Sequence, residues 1–173
     1  MLTCIAIDVE PLALQVLKKD MEKIYFLECK GLFTDAEDAR KFLESGGVDI
    51  IFLDIQMPDV NGIEFSKSLR LKHTAVIFTT AFSEYAIEGF NVDAVDYLLK
   101  PIEYDRFLKS VFKAKEYADY LNSQELHQGY IFVKSDYQMV KVFLKDIIYI
   151  EGLDDYIKIY LPQRSVLTLM TRK

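Results

Sequence analysis

Asp54 closes the apolar run Ile50-Ile51-Phe52-Leu53 and is followed by Ile55-Gln56-Met57-Pro58. Three more polar residues hold equivalent places after short apolar segments: Asp8 after Leu2–Ile7, Thr80 after Ala75–Thr79, and Lys100 after Ala94–Leu99. A carboxylate can attack a phosphoryl group and carry it as a mixed anhydride. That transfer needs positioning and charge stabilisation more than covalent help. Asp54 suits the nucleophile, Lys100 a fixed positive charge on a phosphate oxygen, and the Thr80 hydroxyl a donor to another. Oxygen ligands for Mg²⁺ would come from Asp8, Asp54, the backbone carbonyl of Gln56 and water. Taken singly, these residues have ordinary roles: a turn or cap for each acid, a strand position for Thr80, a lysine before Pro101 that says little. The ordered set of acid, acid, hydroxyl and amine is what points to an aspartyl-phosphate site. One position breaks it, because Val9 stands beside Asp8 where a second carboxylate would normally serve such a site.

Four residues so far apart in sequence meet only if strands carry them to one edge. Up to about Leu121 the chain alternates short apolar runs with helical periods. Strands are predicted at Leu2–Ile7, Phe26–Phe33, Val48–Leu53, Ala75–Thr79 and Ala94–Leu99. A first helix opens with Pro11 in its first turn and repeats apolar residues at Leu14, Leu17, Met21 and Ile24. A second runs from about Asp35 to Glu44, with Thr34 or Asp35 as its N-cap and Gly46-Gly47 ending it. A third follows Gly62 and continues to about Lys72, and a short fourth lies near Glu84–Phe90. The fifth is long and places Phe107, Val111, Ala114, Ala118 and Leu121 on one face. Five βα units in this order predict an α/β, flavodoxin-like fold with a doubly wound parallel sheet, whose strand ends form the ligand-binding edge. Continuously apolar strands such as Ile50–Leu53 fit a sheet covered on both faces.

Beyond the polar stretch Asn122–Gly129 the period changes to two. Ile157, Ile159 and Leu161 alternate with Tyr156, Lys158 and Tyr160, and further short runs fall at Tyr130–Ser135, Met139–Leu144, Ile147–Ile150 and Val166–Met170. This predicts an antiparallel all-β segment without helices. So small a unit rarely closes its own core, and with Thr171-Arg172-Lys173 it reads as cut short.

Composition narrows the classes. Of the 173 residues 51% are hydrophobic, enough for a packed core, yet no run approaches the length of a membrane span. The chain opens almost directly in a strand without a leader-like segment, which suggests a cytoplasmic protein. From Gln128 onward there are seven Lys and Arg against five Asp and Glu, net +2; before it there are 14 against 22, net −8. An acidic first part argues against nucleic-acid binding there, and the mildly basic tail permits it. Cys4 and Cys29 are isolated on predicted strands and read as buried free thiols. His73 and His127 lack neighbours at metal-ligand spacing and read as solvated loop residues.

Ile7-Asp8-Val9-Glu10-Pro11, Phe52-Leu53-Asp54-Ile55-Gln56-Met57-Pro58 with Gly62, Thr79-Thr80-Ala81, and Asp96-Tyr97-Leu98-Leu99-Lys100-Pro101 together resemble a response-regulator receiver domain. Ser83-Glu84-Tyr85-Ala86 with Gly89-Phe90 resembles the LytR/AlgR family, whose receivers carry a LytTR-type DNA-binding domain. Phe132-Val133-Lys134-Ser135, Ile148-Tyr149-Ile150-Glu151-Gly152 and Asp154-Asp155-Tyr156-Ile157-Lys158-Ile159 are similar to the start of such a domain. The resemblance implies a receiver at 1–121, a linker at 122–129, and the N-terminal part of a LytTR-type domain at 130–173. It implies a sensor histidine kinase that phosphorylates Asp54, with Thr80 turning toward the phosphoryl group and Tyr97 moving inward. The face of the fourth helix, fifth strand and fifth helix would then drive homodimerisation and DNA binding. DNA binding belongs to the longer protein, and little is expected of this chain. Spacing alone would make Tyr97 an ordinary half-buried strand aromatic.

Val9 is a departure from that family, where the second acid normally contacts the metal. It implies weak Mg²⁺ binding and poor phosphorylation, with Glu10 a distant substitute ligand because its side chain points away if the strand continues. Phe82, two residues past Thr80, either shields an acyl phosphate from water or packs in the core. Two other readings stay open. The chain could be a pseudo-receiver acting through partner binding or constitutive dimerisation. It could also be a phosphatase of the haloacid-dehalogenase type, although Gln56 stands where such an enzyme needs a general acid.

Overall fold

The structure is a computed structural model that describes residues 1–69, 71, 73–82, 94–122, 129–136 and 138–169. The chain divides into two compact units, Met1–Asn122 and Ser123–Lys173.

In the first unit the order is β1 (Leu2–Ile7), α1 (Pro11–Glu22), β2 (Leu27–Phe33), α2 (Ala36–Ser45), β3 (Ile50–Asp54), α3 (Gly62–Ser68), β4 (Ala75–Thr80), β5 (Ala94–Leu99) and α4 (Tyr104–Asn122). Its strands are parallel in the order β2-β1-β3-β4-β5. Every residue of β3 and β4 is buried, which is why both read as unbroken apolar runs. Alternate strand residues face opposite helical layers. Cys4, Ala6, Phe52 and Ile77 pack against Leu14, Leu17 and Met21 of α1 and Phe107, Val111 and Ala114 of α4. Ile5, Ile51, Leu53 and Phe78 pack against Ala39 of α2 and Ile63 and Phe65 of α3. The buried stripe of α1 follows the helical period that its sequence shows.

Local chemistry sets the helix ends. Asp35, not Thr34, caps α2: its carboxylate accepts from the backbone N–H groups of Glu37 and Asp38 at 2.8 and 3.0 Å. Asn61 caps α3 by accepting from the Ile63 N–H at 2.8 Å. α3 stops at Ser68 rather than near Lys72, because Leu69 turns to extended backbone and the Ser68 hydroxyl donates back to the Phe65 carbonyl at 2.7 Å. The expected helix near Glu84–Phe90 lies outside the described residues.

The second unit is antiparallel. β6 (Tyr130–Ser135) and β7 (Gln138–Phe143) form a hairpin. β8 (Tyr149–Leu153), β9 (Tyr156–Tyr160) and β10 (Ser165–Leu169) form a three-stranded sheet in the order β10-β9-β8. Asp154, between β8 and β9, adopts φ 48°, a left-handed turn conformation that Asp tolerates. Contrary to the helix-free reading, Leu144–Asp146 make one 3₁₀ turn. A single turn is too short to leave a helical period in the sequence. Val142, Ile159 and Val166 are the buried centre, with Ile131, Val133, Val140 and Ile157 packed around them. No helix among the described residues is long and apolar enough to cross a membrane.

Candidate functional site

Strand register alone assembles the four residues. Ile7 pairs with Leu53, so Asp8 and Asp54 follow side by side. Asp54 pairs with Thr79, and Thr80 with Leu99, the residue before Lys100. Asp8 and Thr80 are fully buried and Asp54 is 4% exposed.

Lys100 Nζ lies 2.7 Å from Asp8 Oδ2 and 3.4 Å from Asp54 Oδ2, so one ammonium bridges two carboxylates. The approach to Asp8 is an ion pair rather than a well-aligned hydrogen bond. Each acid also binds the loop that leaves it. Asp8 Oδ1 accepts from the Glu10 N–H at 2.9 Å, and Asp54 Oδ1 from the Gln56 N–H at 3.3 Å. Thr80 Oγ1 accepts from the Phe82 N–H at 3.1 Å, while the Thr80 carbonyl accepts from the Lys100 N–H at 2.7 Å. The Lys100–Pro101 peptide is cis.

Burial pushes the Asp54 carboxyl above the usual carboxylate range; Lys100 pulls it down and the Asp8 charge pushes it up again. For Lys100, burial opposes the charged form, but contact with Asp8 and the charge of Asp54 outweigh it, and the ammonium titrates higher than a free lysine. Asp54 is a buried, incompletely compensated anion beside a firmly protonated lysine. Such a carboxylate can attack an electrophilic phosphorus, and such a lysine can pair with the new phosphate.

Two carboxylates and loop carbonyl oxygens are hard donors of the kind Mg²⁺ takes, so the residues fit the ion with a reduced set. Among the described residues no three Asp, Glu, His or Cys come together in a way that could hold a metal. Val9 is half-buried and lines a cleft of about 370 Å³ with Thr34, Met57, Pro58 and Asp59. Glu10 is exposed, and its contribution to Asp8 is the backbone N–H rather than its carboxylate.

Tyr97 is 5% exposed, more deeply buried than the ordinary strand reading has it, and stacks on Phe78 with ring centroids 5.5 Å apart. Its hydroxyl has no hydrogen-bond partner among the described residues, and burial pushes the phenol up to about 12. Phe82 is 44% exposed, which removes the core-packing alternative. His73 is exposed, whereas His127 and the Ser83–Phe90 motif lie outside the described residues.

Sequence reasoning missed the partner of Asp96. This carboxylate is fully buried in β5 and takes a fork from Arg106 of α4: Nη1 to Oδ2 at 2.6 Å and Nη2 to Oδ1 at 2.8 Å. Arg106 Nη2 also donates to the Tyr97 carbonyl at 2.9 Å, and Lys113 Nζ stands 3.4 Å from Asp96. The signal was present, since an acid inside Ala94-Val95-Asp96-Tyr97-Leu98 needs a cation from the next helix.

The chain matches the response regulator receiver domain over residues 4–112. It is 31% identical to the sensory transduction protein LytT of Bacillus cereus over 97% of this chain and 73% of that protein. It is 37% identical to the transcriptional regulatory protein BtsR of Salmonella typhi over 67% of this chain and 49% of that one. Among solved structures, the response regulatory domain of protein mrkE from Klebsiella pneumoniae is 32% identical, with a TM-score of 0.62. That alignment covers 68% of this chain and 98% of the mrkE domain. With the receiver fold in place and a likeness to LytT along nearly its whole length, this chain belongs to the response regulators of the LytR/AlgR family, proteins of two-component signalling and transcription regulation rather than enzymes.

Proposed function

We propose that this chain is switched by phosphorylation of Asp54 by a sensor histidine kinase, and that the switch controls dimerisation and DNA binding. The observation that carries the reading is the Lys100 ammonium held between Asp8 and Asp54. An Asp54 oxygen forms the new bond to phosphorus while the phosphorus–nitrogen bond of the kinase phosphohistidine breaks, its electron pair leaving with the imidazole. Lys100 then pairs with a phosphate oxygen. The Thr80 hydroxyl, which accepts from Phe82 here, turns to donate to another. The Glu10 and Gln56 N–H groups keep both carboxylates in place through the transfer. Mg²⁺, when bound, supplies charge neutralisation on the transferring oxygens. Asp8, Asp54 and the Gln56 carbonyl would hold it, weakly, because Val9 offers no ligand.

The output half of the proposal assigns 1–121 to the receiver, 122–129 to a linker and 130–173 to the N-terminal part of a LytTR-type DNA-binding domain. Tyr97, fixed at its carbonyl by Arg106, would report the state of Asp54 to the neighbouring face.

Val9 supports a second reading, a pseudo-receiver that works through partner contacts with little phosphate chemistry. Incubating the full chain with a small-molecule phosphodonor, with and without Mg²⁺, separates the two. Phosphate on Asp54, absent from Asp54→Asn, supports the switch; no uptake by wild type or Val9→Asp supports the pseudo-receiver. Val9→Asp should tighten Mg²⁺ binding by roughly 10–100-fold, the scale seen when groups supporting a metal site change. Equal Mg²⁺ affinities in a titration would remove the explanation based on Val9.

A further inference from the structure

Cys4 and Cys29 are 25 positions apart in sequence but are direct partners in the β1–β2 register. Neighbouring strands lie roughly 4.8 Å apart, inside the Cα spacing of about 4.4–6.8 Å that a disulfide spans. Both side chains point to the layer beneath α1, since both belong to the cluster around Leu17 and Met21. Cys4 is fully buried, and its Sγ lies 3.7 Å from the Met21 sulfur. Cys29 is half-buried on β2, the edge strand of this unit's sheet, next to an irregularity where the register passes from Cys29 to Gly31 and leaves Lys30 unpaired. The pair therefore has one accessible sulfur and one sheltered behind it.

We propose that Cys4 and Cys29 form a thiol-redox site in which a hydroperoxide oxidises Cys29 and Cys4 resolves the product to an intrachain disulfide. In the first step the Cys29 thiolate attacks the terminal peroxide oxygen. The oxygen–oxygen bond breaks, Cys29 becomes a sulfenic acid, and the departing alkoxide or hydroxide takes a proton. In the second, the Cys4 sulfur attacks the Cys29 sulfur, the sulfur–oxygen bond breaks, and hydroxide leaves as water with the Cys4 proton. The two thiols lose two electrons and the peroxide gains them. The roles follow the electrostatics. The neighbouring Cys4 thiol holds the Cys29 thiol down to about 7, while the same proximity and burial push Cys4 well above the thiol range. A thiolate is the nucleophile, so Cys29 reacts first. The loop closed by the bond contains α1 and Asp8, which ties a redox input to the strand that carries the phosphate site.

The experiment treats the full reduced chain with hydrogen peroxide, then counts thiols by alkylation after denaturation and maps the linkage by peptide mass. Wild type should lose both thiols and the mass of two hydrogen atoms, yield a Cys4–Cys29 peptide within one chain, and regain both thiols with dithiothreitol. Cys4→Ser should stop at a sulfenic acid on Cys29 that dimedone traps. Thiol loss in Cys29→Ser should be at least about tenfold slower, because its remaining thiol is sheltered and protonated. The proposal is overturned if the wild-type thiols survive a dose that oxidises free cysteine, or if the link forms only between chains. It is also overturned if Met21 sulfoxide is the sole product, or if Cys29→Ser oxidises as fast as wild type. Both the mapping and the thiol count on wild type decide the matter even if a variant fails to fold. Neither depends on whether Asp54 accepts phosphate.

Discussion

At Asp54 the physics of a receptive carboxylate is also a stability liability. Its charge is buried and shares one cation with Asp8, so the folded state holds the Asp54 proton more firmly than the unfolded chain does. For an acid whose folded pKa is raised, stability is fully present below the unfolded value, near 4, and is lost as pH rises through the folded value. Asp54→Asn removes the ionisation and leaves Lys100 to Asp8. The variant should therefore melt higher than wild type at pH 7, and the gap should shrink toward pH 4, where the wild-type acid regains its proton. Each kcal/mol of relief would appear as about 2–4 °C in a thermal melt for a chain of this size. A gap that widens as pH falls would mean that Lys100 overcompensates for burial and that Asp54 is a stabilising anion.

At the scale of elements, the placement of Asp54 depends on how closely α3 approaches the end of β3. The Gly62 N–H donates to the Ile55 carbonyl at 2.8 Å, and a Cβ at Gly62 would collide with the Asp54 carbonyl. Glycine is required here by proximity to backbone that cannot move aside. Gly62→Ala should destabilise the receiver by about 1–3 kcal/mol, the usual range for overpacking, and should slow phosphorylation of Asp54 by displacing it. Urea denaturation and a phosphodonor time course check the two effects. The sequence carried the motif but not this reason, because a steric contact between two backbones leaves no periodic trace. Much else at this scale was legible. Apolar runs and helical stripes gave the five strands, and strand-end polarity gave the edge where Asp8, Asp54, Thr80 and Lys100 meet. Three features were not: the early stop of α3, fixed by a serine bonding to its own helix; the 3₁₀ turn at Leu144–Asp146; and the Arg106 fork on Asp96. Each is set by one or two polar contacts, where hydrophobic patterning says little.

Across the molecule, the two units rest on unequal foundations. The first buries two layers of large side chains on either side of a sheet, among them Phe52, Phe65, Phe78 and Phe107. Among the described residues of the second, three hydrophobic residues are buried at its centre, and every residue of β8 is exposed. Buried apolar area is the main favourable term in folding, so local opening should be much easier in the second unit. Native-state hydrogen exchange should show β8 and β10 amides exchanging first and β3 amides last. Ile159→Ala removes part of the small core and should cost about 2–5 kcal/mol there, as large-to-small core changes do. Exchange should then accelerate across β6–β10 while protection in Ile50–Asp54 stays as in wild type. If protection falls equally in both units, the chain opens as a single cooperative body, and a change at Asp54 could reach the second unit through stability alone. If it falls only in the second, the two units open independently, and the proposed switch at Asp54 would need a specific surface, for which Tyr97 with its Arg106 anchor is the candidate.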